Sequence, residues 1–180
     1  MLRPPRESDA SAVSVVQQAA WRAAYAATPA SFFDELFSDA AFLRAQAARI
    51  VQPHQPAGLC TWVAVDGADE LCGFVQVSPG ELLSLNVHPR AFGSGVGVQL
   101  LRRAEESLAA PLSHRDDPPA VVARLWVLES NARARRFYER EGWTAQDDTR
   151  VPDGRVEAER LYTKQLLLGS SAPALGKAQS

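Results

Sequence analysis

The chain has 180 residues, 46% of them apolar, with 19 Lys and Arg against 21 Asp and Glu for a formal charge of -2. That length is one ordinary domain, and the apolar share is enough to bury a core. The balanced charge, with a pI near 5.9, supplies no global basic field for nucleic acid, so any phosphate site must be local. Cys60 and Cys72 have no Cys or His cluster around them and read as reduced thiols, so neither a disulfide nor a metal site is expected. No apolar run approaches the ~18 residues of a membrane span. The opening MLRPPRESD lacks the apolar region of a signal peptide, so a cytoplasmic protein without nucleic-acid or membrane partners is expected.

Met1 to Pro4 reads as a short edge strand, limited by two prolines that cannot donate to a ladder. Ser8 or Asp9 caps a helix from about Ala10 to Ala26, with Val13, Val16, Ala20 and Ala24 as its buried stripe. Trp21 and Tyr25, then Phe32, Phe33, Asp34, Glu35 and Phe37, follow as a helix-loop-helix rich in aromatic and acidic side chains. They fit either a second small apolar cluster or a substrate wall of Trp21, Tyr25, Phe32 and Asp34, in which Asp34 or Glu35 attracts a cation. A further helix runs from about Asp39 to Val51, before Pro53. Cys60 to Val65 and Glu70 to Val77 are strands joined by Asp66-Gly67-Ala68-Asp69, a hairpin connection. Pro79-Gly80 turns the chain into a third strand, Glu81 to Val87, completing an antiparallel meander.

After His88-Pro89, Gly93, Gly95 and Gly97 alternate just ahead of a helix in which Val96, Leu100, Leu101, Ala104 and Leu108 recur at helical spacing, ending near Ala109. A strand, a glycine loop and a helix N-terminus in that order suit phosphate. Residues without a Cβ let an anion reach backbone N–H groups, and the first helical turn offers free N–H groups and the positive end of the dipole. The same glycines also fit a tight turn with close strand-to-helix packing. No Lys-Ser or Lys-Thr follows Gly97, against a nucleoside-triphosphate loop, and the antiparallel strands before it are not the opening of a dinucleotide unit.

Leu108 to Ala120 is a polar, proline-rich connection, and VVARLWVL from Val121 is an apolar, β-branched strand typical of a sheet centre. Strand, helix and strand thus form a βαβ crossover with parallel neighbours. Ser130 or Asn131 opens a helix from about Ala132 to Glu141, stopped by Gly142. Trp143 to Ala145 starts a short strand, Asp147 to Arg155 reads as a polar loop, and Val156 to Leu167 is the long final strand. Residues 1 to 168 are expected to form one domain, with a disordered tail from Gly169. The expected class is a three-layer α+β (α/β/α) domain with a mixed, mostly antiparallel sheet of about seven strands and about four helices.

LNVHPRAFGSGVGVQLL, followed one strand later by LWVLESNARARRFYEREGWT, resembles the GNAT acetyltransferase superfamily, whose members move an acetyl group from acetyl-CoA to an amine. The order of elements is similar over about residues 1 to 167. The resemblance implies an acyl-CoA N-acyltransferase fold, acetyl-CoA as co-substrate without a metal, and a small-molecule or peptide amine as acceptor. The family's loop usually reads Arg or Gln, x, x, Gly, x, Gly or Ala. That frame falls on Phe92, Gly93, Ser94, Gly95, Val96 and Gly97, so the leading Arg or Gln is absent. Weakened CoA affinity is the expected consequence, with the pyrophosphate still held by backbone N–H groups. Asn131, Ala134, Phe137, Tyr138, Gly142 and Trp143 match the family's second motif. It places Asn131, Ala134 and Tyr138 in the cofactor site, Asn131 against the pantetheine arm and Tyr138 near the thioester sulfur. Arg133, Arg135, Arg136 and Arg140 crowd the same helix and read as a mostly solvated face, from which one can meet a CoA phosphate.

In relatives the strand before the loop is splayed from its parallel neighbour, which implies that backbone groups of Leu85, Asn86 and Val87 face the cofactor. The N–H of Val87 is then the expected oxyanion donor and Tyr138 the general acid for the CoA thiolate. Glu81 stands where many relatives have a glutamate, so the resemblance makes it the expected base, and simple alternation puts its side chain on the same face as Val87; the other reading is a surface glutamate at a strand end. His88 is expected to be structural, as part of a turn. Direct attack in a ternary complex is expected, since neither cysteine falls within the motifs. The resemblance also allows a homodimer, with no interface fixed by the sequence. A non-catalytic acyl-CoA sensor on the same fold is the alternative: Phe92 favours it, and Asn131 and Tyr138 count against it. A dinucleotide-dependent oxidoreductase would need a strand order that this chain lacks.

Overall fold

A computed structural model describes residues 1–24, 33–34, 37–52, 58–110, 121–152 and 157–166. In chain order they form β1 (Leu2–Arg3), a 3₁₀ turn (Glu7–Asp9), α1 (Ala10–Ala24), α2 (Ala40–Val51), β2 (Cys60–Val65), β3 (Leu71–Ser78), β4 (Glu81–Val87), a second 3₁₀ turn (Pro89–Ala91), α3 (Val96–Ala109), β5 (Val121–Leu128), α4 (Ala132–Arg140), β6 (Thr144–Arg150) and β7 (Glu159–Leu166). The strands make one seven-stranded sheet in the order β1-β2-β3-β4-β5-β7-β6. Every neighbouring pair is antiparallel except β4 and β5, the two strands joined by the α3 crossover. The expected mixed sheet and its meander are therefore observed. The connection at 111–120 and the tail expected from Gly169 lie outside the described residues.

Two apolar clusters cover the two faces of the sheet, giving the three layers. On one face Val13 and Val16 of α1 and Ala47, Ile50 and Val51 of α2 pack on Val63, Leu71 and Phe74. On the other, the stripe Leu100, Leu101, Ala104 and Leu108 of α3 is buried with Val75, Leu82, Ala123, Leu125, Tyr138 and Tyr162. That stripe is the helical repeat read from the sequence, and burying it against the sheet is what holds the crossover in place.

The far edge departs from expectation. β6 continues through the expected polar loop as far as Arg150, with almost every side chain exposed. Its register to β7 runs from Ala145↔Tyr162 to Thr149↔Arg160, so Gln146, Asp147 and Asp148 stand against one residue of β7. Aspartates are rare in strands, which makes this segment read as a loop, but on an edge strand their charge faces water and blocks pairing with another chain. β7 begins at Glu159, later than the expected Val156, which lies outside the described residues.

At the opposite edge one ion pair ties β1 to the start of α1. Asp9 is buried; its Oδ2 accepts from Arg3 Nη1 at 2.7 Å and from the Arg6 backbone N–H at 2.7 Å, and its Oδ1 accepts from Arg3 Nη2 at 2.9 Å. The Arg3 guanidinium, chiefly, holds the Asp9 carboxyl below its ordinary value against the opposing effect of burial. A lowered folded-state pKa stabilises the fold above the unfolded carboxylate value near ~3.9, and that contribution disappears as pH falls through the lower folded value. Asp9→Asn should cost about 2 kcal/mol at neutral pH, since it leaves a largely buried guanidinium short of its main partner. Urea melts at pH 7 and below pH 4 should show the two proteins converging in acid; an undiminished gap there would mean the pair is not the cause.

Candidate active site

The site begins with a strand that leaves its neighbour. β4 and β5 pair only at Glu81↔Arg124 and Leu82↔Leu125. On its other side β4 stays paired with β3 along its length, but the register steps from Val77↔Leu82 to Gln76↔Ser84, so Leu83 is an extra residue, a β-bulge. The bulge breaks the alternation: Leu82 and Val87, an odd number of positions apart, both pack on the α3 side. The expectation that Glu81 and Val87 share a face fails for this reason. Beyond the bulge the backbone direction is readable from two contacts. The His88 N–H donates to Cys72 O at 2.8 Å, and a Cβ on Gly73 would lie 2.8 Å from Asn86 O. Asn86 and His88 therefore turn their peptide groups toward β3, and by alternation Leu85 and Val87 turn theirs into the gap that β5 has left.

At the end of β4 the chain enters the glycine loop. Gly93 and Gly95 have φ of +80° and +84°, a left-handed conformation that glycine adopts without strain, and a Cβ on either would meet nothing within 4 Å. Gly95 caps α3, and the first amide of the helix with a backbone acceptor is that of Gln99, which bonds Gly95 O at 3.1 Å. The amides of Val96, Gly97 and Val98 have no backbone acceptor among the described residues and sit at the positive end of a 14-residue helix. At Gly97 a Cβ would lie 3.6 Å from the Phe137 ring, an ordinary contact, so α3 and α4 meet across it without needing a glycine. The loop thus fits the anion reading, with open space at Gly93 and Gly95 beside free amides.

α4 supplies the third wall. Asn131 caps it, its Oδ1 accepting from the Ala134 N–H at 3.0 Å. Tyr138 is 7% exposed and packs edge-on to Trp143, with ring centroids 6.1 Å apart, and beside Tyr162. Its hydroxyl has no hydrogen-bond partner among the described residues and is not sealed from solvent. Burial pushes the phenol well above its ordinary value, so it keeps its proton at any physiological pH.

These walls enclose a cleft of about 670 Å³ that runs through the gap in the sheet. Leu85, Asn86, Val87, Phe92, Gly93, Gly95, Gly97, Asn131, Ala134 and Tyr138 line it, as does Trp21 from α1 on the opposite face. Of the other expected site residues, Ser94 and Val96 do not line it; the Ser94 hydroxyl donates to Ala91 O at 2.7 Å, and Val96 packs on the core. Glu81 does not line it either. Asp34 lies outside it and is paired with Arg22 at 2.9 Å, on a surface where Trp21, Phe33 and Phe37 pack together. Tyr25 and Phe32 fall outside the described residues. His88 caps the second 3₁₀ turn, its Nδ1 accepting from the Arg90 N–H, in the structural role expected of it.

Three comparisons with known proteins agree with this geometry. The profile of the acetyltransferase (GNAT) domain family matches residues 57–145. An uncharacterized N-acetyltransferase from Archaeoglobus fulgidus is 35% identical over 80 residues, which are 44% of this chain and 46% of that protein. Among solved structures, a GCN5-related N-acetyltransferase from Rhodopseudomonas palustris superposes with a TM-score of 0.71 at 23% identity, covering 92% of this chain and 95% of that one. The fold is that of the GNAT superfamily. A PaiA N-acetyltransferase from Thermoplasma acidophilum, solved in complex with coenzyme A, gives a TM-score of 0.70 at 19% identity over 92% of this chain and 98% of that one. Profile, relative and fold neighbours all bear the name of acetyltransferases, and the chain spans about half the length of the curated relative it matches.

The cleft also holds residues that the sequence reading passed over. Gln17, Ser84, Trp126 and Glu159 line it, and Glu159 is its one carboxylate among the described residues. Trp126 hides in a strand that reads as uniformly apolar, and Glu159 in a segment read only as final strand. The Arg150 guanidinium stands 4.2 Å from the Trp126 ring centroid and 2.9 Å from Glu159 Oε2, so aromatic face and carboxylate converge on one cation. Asn131 has a structural share that can be separated from any role in binding. Asn131→Ala should lose about 1 kcal/mol with the cap, whereas Asn131→Asp keeps the acceptor and should stay within about 0.5 kcal/mol of the parent. Chemical denaturation of the three proteins checks this, and equal stability throughout would remove the cap from the account.

Proposed function

We propose that this chain is an acetyl-CoA-dependent N-acetyltransferase acting on a primary amine by direct attack in a ternary complex. The observation that carries the reading is the cleft through the sheet. One end has open backbone amides at a helix N-terminus, the middle has the unpaired peptide groups of Leu85 and Val87, and α1 with Trp126 and Glu159 closes the other end. Acetyl-CoA, when bound, supplies an acetyl thioester to an uncharged nitrogen. The amides of Gly97 and Val98, which line the cleft, would hold its phosphates, and the open space at Gly93 and Gly95 would let them approach. Asn131 and Ala134 flank the arm that crosses the gap.

The Val87 N–H turns into the gap, where it would face the carbonyl oxygen on which charge develops; a donor in that position is worth about 3 kcal/mol of transition-state stabilisation. Tyr138 holds a proton on a phenol with no competing partner and gives it to the departing sulfur. The acceptor's proton leaves toward a carboxylate. Glu159 lines the cleft and Glu81 does not, so Glu159 is the better placed of the two. Trp126 and Glu159 hold the Arg150 guanidinium, so a cationic acceptor, either a small molecule or a peptide, would displace Arg150 to reach the carboxylate.

Calorimetric titration with acetyl-CoA, with NADH as control, tests the reading first, followed by thiol release against a panel of amines. Micromolar binding of acetyl-CoA with turnover of an amine supports it; binding without turnover leaves the sensor, and no binding removes both. Tyr138→Phe should lower kcat about 100-fold while leaving acetyl-CoA affinity within about twofold, because the hydroxyl acts only on the leaving group. Its melting temperature should not fall, since no internal hydrogen bond is lost. Glu159→Gln should lower kcat/KM about tenfold or more, with Glu81→Gln close to the parent; the reverse pattern would return the base to Glu81.

A further inference from the structure

The phosphate end of the cleft lacks the loop Arg or Gln of its relatives, and Phe92 stands in that place. Its ring is not bare. The Arg133 guanidinium, from the first turn of α4, lies over it with Cζ 3.2 Å from the ring centroid. Phe92, Gly93, Gly95, Gly97, Arg133 and Arg136 line the same cleft. We propose that Arg133, stacked on Phe92, is the side-chain cation that binds the phosphates of the donor here, a charge delivered from α4 in place of the loop. The inference rests on the reading of the cleft as an acetyl-CoA site.

Three observations support it. A guanidinium stacked by its face keeps all its N–H donors in the plane of the group, pointing outward, so the ring fixes the cation without using the donors a phosphate needs. Held this way, the side chain has less rotamer freedom to lose on binding than a free surface arginine. The neighbouring arginines are otherwise engaged: Arg135 donates to Tyr162 Oη at 3.2 Å and to Glu129 O at 3.2 Å, and Arg140 lies 3.4 Å from Glu141 Oε1. Arg133 and Arg136, by contrast, are exposed and have no carboxylate partner among the described residues. They lie one turn apart on the side of α4 that borders the cleft, which Gly97 and Val98 with their open amides also line. Uncompensated charge at that spot suits a diphosphate or phosphomonoester.

The test compares two donors in calorimetry: acetyl-CoA, and S-acetylpantetheine, which lacks phosphates. Arg133→Ala should weaken acetyl-CoA about tenfold, the lower range for a charge-assisted contact at a surface, and leave S-acetylpantetheine unchanged. The salt dependence of acetyl-CoA binding should also become shallower in the variant. Arg133→Lys should recover only part of the affinity, because an ammonium neither stacks nor forks. Phe92→Leu should lose a few-fold through the cation it no longer holds in place. Acetyl-CoA affinity within twofold of the parent in Arg133→Ala would overturn the proposal, as would equal weakening of both donors, which would place Arg133 in the architecture of α4. If the parent protein binds neither donor, it is the reading of the cleft that fails, a result distinct from either.

Discussion

The wedge between β4 and β5 is the constraint on which the rest depends. Two parallel strands joined by a helix would ordinarily pair along their length, and here they pair at two positions and part. The wedge is stiff because each strand is fully paired on its outer side, β4 to β3 and β5 to β7 over all eight residues from Val121 to Leu128. Opening it leaves peptide groups of Leu85 and Val87 without ladder partners, and unpaired peptide groups are costly unless water or a ligand satisfies them. The bulge at Leu83 causes the parting: one extra residue turns the strand and resets which side chains face α3. The sheet thus trades ladder bonds for a binding edge in its own centre.

α4 is held against that edge by contacts that do not involve its cleft-facing side. Tyr162, fully buried on β7, donates to Glu139 at 2.8 Å and accepts from Arg135, pinning the middle of the helix. At its end, Glu105 of α3 accepts from Trp143 Nε1 at 2.9 Å and from Lys164 at 2.7 Å, and Lys164 also donates to Glu141 O. These polar ties bridge α3, α4 and β7, so the helices flanking the glycine loop move as one body. Tyr138 makes only ring contacts, which leaves its hydroxyl uncommitted while its position is fixed.

What the sequence revealed follows from the range of the forces involved. The meander, the α3 stripe and the glycine loop are local patterns, and each was legible because periodicity and turn chemistry are written within a few residues. The bulge was not: nothing at Leu83, neither glycine nor proline, marks it, and the parity argument for Glu81 failed with it. β6 was misread because Asp147 and Asp148 argue for a loop until one knows that the strand is an edge. Asp34 looked available to a substrate because its partner, Arg22, lies on another segment. Trp126 and Glu159 were overlooked for the same reason: they become neighbours only through the pairing of β5 with β7, which sets Glu159 opposite Leu128.

The placement of charge also bears on the chemistry. Open amides and unpaired arginines gather at one end of the cleft, while the carboxylate and the indole rings gather at the other. A donor with phosphates and an acceptor with an ammonium would each be drawn to its own end and excluded from the other, so they would approach from opposite faces of the sheet and meet where β4 and β5 part. Cys60 and Cys72 do not line that gap, and the side-chain hydroxyls that do belong to Ser84 and Tyr138. Burial disfavours the phenolate of Tyr138, the form in which it would act as a nucleophile. The direct transfer proposed above needs only these two ends and the gap between them, with no residue to carry the acyl group.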